Sequence, residues 1–66
     1  MITVEKARGL LHDHEIKDVT VIRHGSGLIK FLIQTSERQQ TVDKLKLIFP
    51  DIITDESFGI TNLYHK

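Results

Sequence analysis

The 66-residue chain balances nine Lys and Arg against nine Asp and Glu and contains no cysteine. It therefore has no disulfide framework and no Cys-ligated zinc site. Its zero net charge gives no general attraction to nucleic acid or anionic lipid.

Length restricts the chain to a single domain over residues 1–66. A domain this small buries only about 60% of the surface its unfolded form exposes, so it depends on tight packing or on self-association. The absence of Cys fits a reducing compartment. Met1-Ile2-Thr3-Val4-Glu5-Lys6 turns polar at once, without the basic and then apolar order of a signal peptide. No apolar run approaches the length of a membrane span. The expectation is a cytoplasmic protein with no membrane partner, and nothing in the composition points to disorder.

Val4, Ala7, Leu10 and Leu11 recur at helical spacing and predict a helix from about Val4 to His14, capped by Thr3 with Glu5 in its first turn. Val19-Thr20-Val21-Ile22 is β-branched throughout and reads as a strand, and Leu28 to Ile33 reads as a second. The Gly25-Ser26-Gly27 loop between them marks a hairpin, with Gly27 at positive φ. Ser36-Glu37-Arg38-Gln39 has capping-box spacing, and Val42, Leu45, Ile48 and Phe49 mark a helix from Ser36 that Pro50 ends. Ile52 to Thr54 and Phe58 to Tyr64 then read as short strands around Asp55-Glu56-Ser57. The predicted fold is α+β: a two-layer sandwich in α-β-β-α-β-β order, with an antiparallel sheet and both helices on one face.

At a constant offset of 38 positions, Thr3-Val4-Glu5-Lys6 aligns with Thr41-Val42-Asp43-Lys44, Leu10-Leu11 with Ile48-Phe49, and Ile22 with Ile60. A duplicated αββ unit would produce this pattern. So would any two amphipathic helices that lead into strands, and the earlier start of the second helix favours that simpler origin.

A three-residue loop sets Val21 opposite Phe31 and Val19 opposite Ile33. Val19, Val21, Ile29, Phe31 and Ile33 then form the core face, joined by Leu11, Leu45 and Ile48 from the helices. The other face carries Thr20, Ile22, His24, Leu28, Lys30 and Leu32, which is more apolar than a sheet face open to water should be. The chain's own C-terminal segment, a second copy or a partner would have to cover it.

The candidate chemistry is sparse. His12-Asp13-His14 offers two imidazoles, but residues two apart on a helix point to nearly opposite sides, and polar residues at a helix C-terminus explain them. His24-Gly25-Ser26-Gly27 lacks the Lys and following helix of a phosphate loop and the Gly-x-Ser-x-Gly of a nucleophile turn. This loop is faintly similar to the strand region of small toxin ribonucleases of the HicA kind, which are short, begin with a helix and carry Gly-Ser-His-His. Here Gly27-Leu28 stands where the histidines would be, and the helix from Ser36 interrupts the expected three-stranded run, so the family is not assigned. No carboxylate stands isolated in an apolar run, and no cofactor is expected.

These observations favour a small non-enzymatic interaction or regulatory module that binds through a sheet face or edge, with Ile22, Leu28, Lys30 and Leu32 as the partner-binding residues. The occupant would be a second copy, giving a homodimer, or another protein. The alternative is a nucleic-acid-binding or nucleic-acid-processing protein that uses Lys17, Arg23, His24 and Lys30, although no aromatic lies among these basics in the sequence to stack bases. A third class is an enzyme whose site forms only between subunits.

Overall fold

The computed structural model describes residues 2–66. Its elements in chain order are α1 (Val4–Asp13), β1 (Val19–His24), β2 (Leu28–Ile33), α2 (Arg38–Ile48), β3 (Ile53–Ser57) and β4 (Ile60–His65). The strands form one antiparallel sheet in the order β1-β2-β4-β3. Both helices pack on one face of it, as the sequence predicts.

Thr3 starts α1 as expected, its Oγ1 accepting a hydrogen bond from the Lys6 amide at 3.1 Å. The helix closes in a Schellman turn: the Ile16 amide donates to the Leu11 carbonyl at 2.9 Å and the Glu15 amide to that of His12 at 3.0 Å. Glu15 supplies the left-handed residue, at φ 56°. The turn brings Ile16 back beside the core and aims the chain into β1.

The second helix departs from expectation at its start. It begins at Arg38, and its N-cap is Glu37, which makes no side-chain capping bond. The Ser36–Gln39 capping box does not form. Instead Thr35 Oγ1 accepts from the Glu37 amide at 3.3 Å, so a local side-chain turn displaces the box and delays the helix. At the other end Phe49 is the C-cap, directly before Pro50, as predicted.

The first hairpin has the predicted register, with Val19 opposite Ile33, Val21 opposite Phe31 and His24 opposite Leu28. Ser26 (φ 66°) joins Gly27 (φ 74°) in the left-handed region, as the two central residues of a tight hairpin turn must. The second hairpin differs from the sequence reading. Asp55-Glu56-Ser57 is not its turn but the end of β3, and the chain reverses at Phe58-Gly59 between the paired residues Ser57 and Ile60. Phe58 (φ 52°) and Gly59 (φ 74°) are both left-handed, which a two-residue hairpin loop requires. An X-Gly pair satisfies that geometry better than three polar residues do. Phe58, which the sequence places at the start of the last strand, is instead fully exposed at the hairpin tip.

The core comprises Ala7, Leu11, Val21, Ile29, Phe31, Val42, Leu45, Phe49 and Leu63. Val19, Ile33 and Ile48, expected among the most buried, pack against this cluster while keeping some exposure. Phe49 stacks on Phe31 at 5.0 Å between ring centroids, and the His65 ring meets Phe49 edge-on at 5.7 Å. Arg38 Nη donates to the Thr61 carbonyl at 2.7 Å, so α2 is also tied to β4 through polar contact.

Exchanging the two helix–hairpin units maps the strand order onto itself, because β1 and β3 are both edges and β2 and β4 both central. The constant 38-residue offset does not survive this comparison. It matches Ile22 on an edge strand with Ile60 on a central one. The two-fold arrangement belongs to the topology and not to that alignment.

Replacing Phe31 with Ala removes a buried ring and its contact with Phe49, and is expected to cost about 3–5 kcal/mol in urea unfolding. A cost below about 1 kcal/mol would show that the ring is not central to the core. Phe58→Asn is expected to stabilise the fold by about 1 kcal/mol in the same assay, because Asn tolerates the left-handed region and no burial is lost. A destabilised variant would mean that Phe58 makes packing contacts.

Candidate functional site

Strand alternation assigns every side chain of the sheet to one of two faces. The buried residues Val21, Ile29, Phe31 and Leu63 mark the helix side. The opposite face then carries Thr20, Ile22 and His24 from β1, Leu28, Lys30 and Leu32 from β2, Ile60, Asn62 and Tyr64 from β4, and Ile53, Asp55 and Ser57 from β3.

The C-terminal segment does not cover this face. It becomes β4, seated between β2 and β3, and so enlarges the surface it could have hidden. Ile22 is 38% exposed, Ile53 39% and Ile60 58%. Leu28, Leu32 and Tyr64 are half-buried among them. One row across the sheet runs Ile22, Lys30, Tyr64, Ile53, and the next runs Thr20, Leu32, Asn62, Asp55. Phe58 stands at one end of the face, on the tip of the β3–β4 hairpin.

The middle of the face is an aromatic and cationic group. The His24 and Tyr64 rings lie 4.9 Å apart at a 51° tilt, and Lys30 Nζ sits 5.8 Å from the centre of the Tyr64 ring. That distance is within reach of a cation–π contact. Sequence reasoning missed Tyr64, together with Ile53 and Ile60. Their place on this face depends on the pairing of β4 with β2 and, for Ile53, on the β3–β4 register that the Phe58-Gly59 turn sets.

All four residues read as partner-binding, Ile22, Leu28, Lys30 and Leu32, lie together on this face. The basic set read for nucleic acid does not gather in the same way. His24 and Lys30 share the outer face. Arg23, paired with Ile29, belongs to the helix side, and Lys17 lies in the connection between α1 and β1. The two sheet edges differ as well. On β1 the Val21 carbonyl accepts from Arg8 Nη at 3.2 Å, while β3 is an exposed edge strand carrying Asp55 and Glu56.

Away from the sheet, His12 lies in the last turn of α1 and His14 is its C-cap, with the His14 amide donating to the Leu10 carbonyl. Among the described residues no three His, Asp or Glu side chains gather as a metal site would require. The larger depressions are open grooves. One of about 560 Å³ is lined by His12, Asp13, Glu15, Ile16 and Lys17, and one of about 440 Å³ by His14, Ile16, Lys44, Leu47 and Ile48. Neither joins a nucleophile to a base with an orienting partner, which a catalytic reading would need. No helix among the described residues is long and apolar enough to cross a membrane. No family model, curated protein or solved structure matches the chain.

Proposed function

We propose that this protein is a non-enzymatic interaction or regulatory module whose outer sheet face docks against an apolar protein surface. The observation that carries the proposal is that every strand contributes at least one large apolar side chain to that face, while both helices lie on the other side. Contiguous apolar patches on small proteins mark places where something binds. Phe58 adds independent support. A fully exposed bulky residue in the left-handed region is costly for the isolated fold, and such strain concentrates at functional positions.

A photo-crosslinking amino acid placed at Ile22 or Ile60 and activated in cells tests this. Adducts from both positions, and none from a control at Gln40 on the helix layer, are expected. Equal labelling from Gln40, or none from the sheet, would remove the outer face from consideration.

The Tyr64, His24 and Lys30 cluster favours one second reading, a platform for single-stranded nucleic acid, since an aromatic beside a cation on an open sheet can stack a base. The split placement of Lys17 and Arg23 weakens it. Binding to a single-stranded oligonucleotide is expected to be weak and to vanish by physiological salt. Sub-micromolar binding in that salt, abolished by Tyr64→Ala or Lys30→Ala, would place nucleic acid first.

A further inference from the structure

We propose that the occupant of the outer face is a second copy of this chain, packed sheet against sheet, with Lys30 of each copy paired to Asp55 of the other. This rests on the reading of that face as a docking surface and adds the partner and the register.

Charge is the first argument. More than a quarter of the chain is charged, yet among the twelve outer-face side chains one is Lys and one is Asp, apart from the imidazole of His24. A face with one cation and one anion is neutral and can complement itself. Position is the second. Lys30 lies on β2 and Asp55 on β3, two strands across, and the register sets them one pleat repeat apart along the strands. A two-fold axis in the plane between the sheets exchanges them if it passes midway, over β4 between Asn62 and Tyr64. That point is near the middle of the face, so the axis that pairs the charges also gives the fullest overlap. It brings Tyr64 close to its own counterpart, at the centre where an aromatic anchor contributes most to binding. Isologous contact of this kind is the commonest route to a dimer.

Size is the third argument. Four strands of five or six residues, about 4.8 Å apart and rising about 3.4 Å per residue, make a face roughly 15–20 Å each way on a molecule of 28 × 28 × 18 Å, so an occupant that covers it buries much of one side. The edges serve a second copy less well. Arg8 engages the β1 edge, and pairing β3 with its own copy would set Asp55 and Glu56 against like charges.

Sedimentation equilibrium of the purified protein and four variants tests the proposal. The wild type is expected to be a dimer at micromolar concentration, and Leu32→Glu a folded monomer by circular dichroism. Lys30→Glu and Asp55→Lys should each weaken the dimer about tenfold or more, and the Lys30→Glu/Asp55→Lys double variant should recover most of that loss. A swap that weakens additively overturns the Lys30–Asp55 register. A wild type that stays monomeric to millimolar concentration overturns the second copy as occupant. The docking face itself then survives only if the Ile22 and Ile60 crosslinks yield adducts of another mass. A dimer indifferent to Leu32→Glu overturns both, because association then uses a different surface.

Discussion

The antiparallel pairing of β2 with β4 is the contact on which the rest of this structure depends. Each strand belongs to a different hairpin, β2 to β1–β2 and β4 to β3–β4. Pairing Phe31 with Leu63 joins the two hairpins into one sheet. The stack of Phe49 on Phe31 then locks α2, from the second unit, over β2, from the first. Among the described residues, the nine buried side chains come from both helices, the Phe49 cap and three strands, and they make up the core.

The same pairing creates the outer face. Once β4 is committed to the sheet, it does not lie across Ile22, Leu28 and Leu32. The alternation that sends Leu63 into the core sends Ile60 and Tyr64 out beside them. Fold and outer face are thus two consequences of one strand register. Small domains gain most from association of this kind, because burying a second face offsets the small size of the first core. The near absence of charge on the outer face, in a chain otherwise rich in charge, fits a surface that is dry when occupied.

The two hairpin turns illustrate different demands on the sequence. Gly25-Ser26-Gly27 places flexible residues where positive φ is required and contributes nothing further. Phe58-Gly59 solves the same problem with an aromatic in the first left-handed position, fully open to water. Turn geometry alone accounts for Gly59 and leaves Phe58 unexplained. The docking proposed for the outer face would give the phenyl ring a contact.

How much the residues alone decided varies along the chain. Periodicity and capping chemistry determined α1, and β-branching together with the glycine loop determined the first hairpin and its register. These are local interactions, with every partner a few residues away. The start of α2 was not legible, because Ser36 and Thr35 both offer hydroxyls to nearby amides and the competition is settled by a difference too small for a motif to show. The β4 register was not legible either. Ile60, Leu63 and Tyr64 are all apolar enough for the core, and which of them enters it is decided by the pairing of β4 with β2, some thirty residues earlier in the chain. The outer face was half visible for the same reason. Ile22, Leu28, Lys30 and Leu32 could be grouped from one hairpin. Tyr64, Ile53, Ile60 and Asp55 could join them only when tertiary structure set β4 and β3 alongside, because a sheet face is assembled from strands whose neighbours are chosen by long-range pairing.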